Sequence, residues 1–182
     1  VPGAIDAWAT LLKRFGTVDL GAALEPAIRL AEDGVPITPR VAFDWPESVD
    51  VLARDAGGAM HYLVDGRAPG LGEIMCYPAL AKTFRILAAQ GRDAFYSGEI
   101  AADILATLGP RGSLLNARDF ESHRSDWVVP IATPFAGHEI LEIPPNGQGL
   151  TALIALNILS RFDPGRYGPD SLERRHLEIE AM

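Results

Sequence analysis

Along the first part of the chain, apolar residues recur every three or four positions, the spacing that lines one face of an α-helix. Ile5, Trp8, Leu11, Leu12 and Phe15 make such a stripe over Ala4 to Phe15, and Gly16 stops it. A second helix is expected after Asp19, with Leu20, Leu24, Ala27, Ile28 and Ala31 inward, Pro26 bending it or delaying its start, and Gly34 ending it. Thr38-Pro39 offers an N-cap and a first-turn proline to a third helix that breaks near Pro46 and resumes to Arg54. The stretch "HYLVDGRAPG" predicts a short strand ending in an Asp65-Gly66 turn. Helices then follow from Tyr77-Pro78, with Leu80, Phe84, Leu87 and Ala88 inward, and from Ser97 to Leu108. A short one, opened by a capping box of Asn116 and Asp119, ends near His123.

After His123 the period shortens. "DWVVPIAT" and "HEILEI" are β-rich runs joined by Pro134 to Gly137, which predicts an antiparallel hairpin. Val128 to Ile131 is apolar throughout, as in a strand covered on both faces. Leu150 to Leu159 is apolar on nearly every side and reads as a buried helix. From Asp170 a last helix is expected, with Asp170 as N-cap, Glu173 closing a capping box, and Leu172, His176, Ile179 and Met182 on one face. It reaches the end of the sequence with no Gly, Asn or Pro to stop it, and no Met begins the chain. That pattern reads as an internal piece of a longer protein.

Composition narrows the function classes. The 182 residues, 48% of them hydrophobic, suffice for a sizeable core. A net charge of -8 without any basic cluster argues against a nucleic-acid partner. The longest strongly apolar run, Leu150 to Leu159, is about half of a bilayer span, so no membrane segment is expected. The single cysteine, Cys76, excludes an internal disulfide and a cysteine-based zinc site, and its flanks Met75 and Tyr77 suggest a half-buried structural thiol. His61, His123, His138 and His176 are far apart and form no metal-ligand pair, so no metal is expected. Nor does any serine sit in a nucleophile motif. In "ERRHLEIE", Arg174 and Glu178 share a helix face as an ordinary surface pair.

The most unusual stretch is "EIPPNGQGL", Glu142 to Leu150. Pro144-Pro145 stiffens the exit from the strand, and Gly147 and Gly149 permit positive φ or close backbone approach. Amides at the start of the next helix could hold an anion, such as a substrate carboxylate or a developing oxyanion. Equally, the loop could be a strand-to-helix turn whose glycines serve packing alone. Residues alone leave both readings open.

Taken in order, "VPGAIDAWATLLKRFG", "LEPAIRLAEDGVPITPRVA", "GRDAFYSGEIAADI", the Gly-Ser-Leu-Leu stretch before "ARDF", and "ILEIPPNGQGLTALIALNIL" resemble the gamma-glutamyltranspeptidase family. The resemblance covers essentially the whole chain. It implies an N-terminal-nucleophile hydrolase, made as one precursor that cuts itself before a threonine, with an αββα sandwich. In such enzymes the freed threonine is nucleophile and its own amine can act as base. The fold class implied is α+β: mainly helical over 1–123, with a hairpin of the sandwich, a core helix and a truncated C-terminal helix over 124–182.

By the same resemblance the chain is the middle to later part of the large subunit. The nucleophile's threonine-rich motif lies beyond Met182 and the substrate-clamping arginine upstream of Val1, so no catalytic residue falls in this chain. Candidate substrate-binding residues are Asn146, Gly147, Gln148 and Gly149, where the paired serines and adjacent glycines of one familiar family version are replaced. The implied partners are the small subunit and the N-terminal part of the same precursor, with a glutathione-like small molecule as substrate. No metal or other cofactor is required. An acylase-type amide hydrolase and a non-catalytic helical scaffold are the alternatives, and both a cytoplasmic and a periplasmic location stay open.

Overall fold

The structure is a computed structural model describing residues 1–182, which divide into two compact units, Val1–Ser125 and Asp126–Met182. The first unit is mainly helical. Helix α1 (Ala4–Phe15) keeps the predicted bounds, and α2 (Leu20–Asp33) starts directly at Asp19, whose carboxylate accepts the Ala22 amide at 2.7 Å. Pro26 neither delays nor ends α2, since the helix runs through it to Gly34. The missing proline donor is tolerated because Leu24, Ile28 and Ala31 anchor the same helix in the core.

As the proline at 46 suggested, the next segment is broken, into α3 (Pro39–Asp44), a 3-10 turn (Trp45–Ser48) and α4 (Val49–Leu52). Helix α5 (Ala56–Tyr62) then corrects the sequence reading, because His61 and Tyr62 belong to it rather than to a strand. The Asp65-Gly66 turn is present, with positive φ at both residues, but it closes a single Val64–Arg67 bridge. Arg67 forks onto Glu73 at 2.9 and 3.1 Å, and the Gly70 amide donates to the same carboxylate at 2.7 Å. These bonds hold the Glu73 carboxyl at about 2 and brace the path into strand β2 (Ile74–Met75). β2 pairs antiparallel with β1 (Val35–Pro36).

Helix α6 (Pro78–Gln90) lies along α2 and buries Ala81 and Leu87, whereas Leu80, expected inward, is exposed. The helix expected from Ser97 to Leu108 is α8 (Glu99–Leu108), which starts two residues late, and an unexpected short helix precedes it, α7 (Arg92–Tyr96), closed by Ser97. Helix α9 (Ala117–Glu121) has the predicted capping box of Asn116 and Asp119. Around Tyr96 and Phe120 the core gathers Ile5, Leu24, Ile28, Leu87, Ala94, Ile100 and Ala101. Cys76 is exposed rather than half-buried.

The second unit holds the antiparallel hairpin β3 (Ile131–Phe135) and β4 (His138–Glu142), with Ile131 opposite Glu142 and Phe135 opposite His138. Its turn is Ala136-Gly137, both at positive φ, which matches the twist of the flanking strands. Val128 to Pro130 lie outside the strand, and Val129 is 84% exposed, so the strand covered on both faces is not observed in this chain. Helix α10 (Gly149–Leu159) packs on β3 and β4 and buries Leu153, while Leu150, Ile154 and Ile158 stay exposed. The last helix, α11 (Leu172–Ala181), is capped by Ser171 and not by Asp170. It packs against α10 and buries Ala181, leaving Leu172 and Ile179 on its open side. No helix is long and apolar enough to cross a membrane.

Candidate functional site

β4 delivers the chain to the loop at Glu142, and α10 takes it away at Gly149. Asn146, Gly147 and Gln148 are exposed between them, and Gly149 is half-buried. Neither Gly147 nor Gly149 adopts positive φ, so the conformational reading of these glycines does not apply. Close approach does apply at Gly149, where a Cβ would fall 2.7 Å from Glu142 Oε2 and 2.8 Å from Glu142 Cβ. A Cβ at Gly147 would meet nothing within 4 Å. One glycine is thus fixed by packing and the other is not.

Gln148 is the N-cap residue of α10; its carbonyl accepts the Ala152 amide at 3.0 Å, but its side chain does not cap. Instead its Oε1 accepts the Thr151 hydroxyl at 3.3 Å. The first amides of α10 therefore lack a side-chain acceptor, and with the helix dipole they make an electropositive end. The Glu142 side chain already lies against that end, so an incoming anion would meet a carboxylate there. What the loop offers is a pair of neutral amide side chains: Asn146, whose side chain is unbonded, and Gln148, whose Oε1 is taken by Thr151 while its NH2 remains to donate. Sequence reasoning named these two and missed Glu142, whose part depends on the approach of β4 to α10, and Thr151, which meets Gln148 three residues away at the start of the helix.

A second polar constellation lies within the first unit. Asp6, only 3% exposed, accepts hydrogen bonds from Arg92 Nε and from the Ser125 amide. Arg92 Nη2 donates to the His123 carbonyl at 2.6 Å, and its guanidinium lies 4.4 Å from the centre of the Tyr96 ring. The Tyr96 hydroxyl donates to the Pro2 carbonyl at 2.8 Å and accepts the Asp6 amide at 3.1 Å, and His123 stacks on the same ring. Burial alone would push the Asp6 carboxyl up. The hydrogen bonds from Arg92 and Ser125, with the Arg92 charge, overcome that and hold it at about 2. This clamp joins the start of α1, α7 and the segment after α9, and its polar groups are spent on one another apart from His123 Nε2, which is buried without a hydrogen-bond partner. It is architecture rather than a substrate site.

No three His, Cys, Asp or Glu residues converge as a metal cluster. The Arg174–Glu178 pair forms at 2.8 Å on α11, as its spacing suggested. The candidate site is accordingly the strand–loop–helix element of Glu142 to Thr151.

Against known proteins, the family described as gamma-glutamyltranspeptidase matches residues 1–182. A glutathione hydrolase-like proenzyme of Bacillus subtilis is 34% identical over 182 residues, which is 100% of this chain and 35% of that protein. Among solved structures, the gamma-glutamyltranspeptidase of Helicobacter pylori superposes with a TM-score of 0.92 at 27% identity, over 100% of this chain and 52% of that one. The cephalosporin acylase of Bacillus halodurans superposes with a TM-score of 0.91 at 40% identity, over 100% of this chain and 34% of that one. The chain spans about a third of the length of the curated relatives it matches.

Proposed function

The chain belongs to the gamma-glutamyltranspeptidase family, and from that premise we propose that it is a large-subunit portion of an autoprocessed N-terminal-nucleophile hydrolase acting on γ-glutamyl amides such as glutathione. The observation that carries this reading is the match of the whole chain, with the Pro-Pro-Asn-Gly-Gln-Gly element joining a strand to an apolar helix. In this account the nucleophile is a threonine outside the chain, freed by cleavage of the precursor, which attacks the amide carbonyl and holds the acyl group until water or an amine accepts it. Asn146 and Gln148 orient the acyl donor through neutral hydrogen bonds. The rest of the precursor is the partner, and the open apolar side chains of α10 and the hairpin are surface for it to cover.

A second reading has its own support. The identity to the Bacillus halodurans acylase, 40%, exceeds the 27% to the Helicobacter pylori transpeptidase. Glu142 against the electropositive end of α10 also suits a donor without a charged group at that spot. An acylase-type amide hydrolase of the same fold is thus the alternative.

Both readings are tested on the full precursor. Two bands on a denaturing gel, and one band when the threonine at the cut is changed to alanine, are expected; an uncut wild type overturns the enzyme reading. Turnover of a γ-glutamyl anilide against a cephalosporin side-chain amide separates the two donors. The double change Asn146→Ala with Gln148→Ala is expected to raise KM or lower kcat, and unchanged kinetics would return the loop to architecture. The 182-residue chain alone is expected to be inactive.

A further inference from the structure

The chain has three asparagines, and the fold treats them differently. Asn116 caps α9, its Oδ1 accepting the Arg118 and Asp119 amides at 3.0 and 3.3 Å, and Ala117 follows it. Asn157 lies inside α10, where its Oδ1 accepts the Thr133 hydroxyl at 2.6 Å and the helix holds the backbone on both sides. Asn146 is exposed in the loop, its side chain makes no hydrogen bond, and Gly147 follows it. With nothing within 4 Å of a Cβ position at Gly147, no neighbouring group shields the backbone there.

We propose that Asn146 is a site of spontaneous covalent modification, at which the loop converts itself from a neutral amide to a carboxylate. The Gly147 amide nitrogen loses its proton and attacks Asn146 Cγ. The new N–Cγ bond closes a five-membered succinimide, the Cγ–NH2 bond breaks, and the nitrogen leaves as ammonia after taking up a proton. Water then opens either imide carbonyl to give aspartate or isoaspartate. Nothing is oxidised or reduced, and water is the one co-reactant.

Three features favour this site over the other two. Ring closure needs the side-chain carbon to reach the next nitrogen, which a side chain already held by hydrogen bonds resists. It needs rotation about the intervening backbone, which a loop permits and a helical ladder does not. It also needs an unshielded nitrogen, and glycine carries no Cβ beside it. Asn116 fails on its bonded side chain and on the Ala117 that follows, and Asn157 on all three counts.

The product matters to the same loop. A carboxylate at 146 adds a negative charge next to an element that already carries Glu142, and the isoaspartate form lengthens the backbone by one carbon just ahead of α10. If Asn146 orients the acyl donor, catalytic efficiency falls as the protein ages. The modification itself rests on the exposure and chemistry of the loop and not on that role.

The test is covalent, so it stands apart from any assay of activity. The protein is held at mildly alkaline pH, and tandem mass spectrometry locates gains of one dalton while an isoaspartyl methyltransferase reports isoaspartate. Asn146 is expected to convert into two separable products while Asn116 and Asn157 stay intact. Gly147→Ala, which meets no neighbour and no positive φ, is expected to leave the fold unchanged and slow conversion severalfold. Conversion of Asn146 no faster than that of Asn116, or an unchanged rate in Gly147→Ala, would overturn the proposal.

Discussion

The clamp around Asp6 makes a quantitative prediction for Asp6→Asn. The substitution keeps the shape of the side chain and removes its charge. The native carboxylate accepts from two donors, Arg92 Nε and the Ser125 amide, and asparagine has only one oxygen to offer. Its NH2 group must therefore face a donor, and Arg92, with a side chain 18% exposed, loses its buried counter-charge. A carboxyl held at about 2 against an ordinary 3.8 represents about 2 kcal/mol of stability at neutral pH. Adding the donor left without an acceptor, about 1–3 kcal/mol, brings the expected loss to about 3–5 kcal/mol, the range found when one partner of a buried pair is removed.

The pH dependence has a definite sign. Because folding lowers this pKa, the contribution of Asp6 is fully present above 3.8 and is lost as pH falls through about 2. Protonated aspartic acid resembles asparagine in being neutral, with a carbonyl oxygen that accepts and a second group that must donate. The stability gap between wild type and Asp6→Asn should therefore be widest at neutral pH and close as the acid limit is approached. Urea unfolding read through hydrogen exchange at Leu87, deep in the same core, measures the gap. A gap below about 1 kcal/mol at neutral pH, or one that is unchanged in acid, would refute the charge-based account.

Two glycines give further predictions. Gly34→Ala puts a side chain at φ 86, with its Cβ 2.5 Å from Ile74 Cγ2, 2.8 Å from Cys76 Sγ and 3.1 Å from the Met75 carbonyl. A loss of about 2–4 kcal/mol is expected in thermal unfolding, and a wild-type Tm would show that the β1–β2 contact is softer than described. Gly149→Ala drives a Cβ into the side chain of Glu142 and should lower stability by about 1–3 kcal/mol, seen as lost exchange protection at the start of α10. Protection equal to that of wild type would mean that the strand-to-helix junction is not tightly packed.

How far the fold could be read in advance follows from where each signal resides. Caps and turns are decided within three or four residues, so Asp19, the Asn116–Asp119 box and the Asp65-Gly66 turn were legible. The strand expected before that turn failed because "HY" completes the last turn of α5, a choice set by the Asp55 cap whose carboxylate accepts the Gly58 amide. Ser97 looked like a helix start because serine caps helices. Here it closes α7, and Gly98 takes the N-cap place in front of α8.

The candidate site shows the same division. Asn146 to Gly149 are consecutive, so their composition marked them, but the reason for each glycine was not local. Gly149 is tied to Glu142, seven positions back, and only the packing of β4 against α10 reveals it. The clamp lies further still from any sequence signal. Asp6 meets groups 86, 90 and 119 residues away along the chain. By sequence it is an ordinary acidic residue in the first turn of a helix, a place where carboxylates are common for the dipole alone. Apolar patterning errs in the opposite direction. The all-round apolar surface of α10 predicts a helix buried on every side, yet β3, β4 and α11 cover only part of it and leave Ile154 half exposed. A periodic pattern records which faces are apolar; which of them are covered depends on the elements available to pack there. The same apolar sequence therefore marks the core around Leu153 and the open surface at Leu150, Ile154 and Ile158.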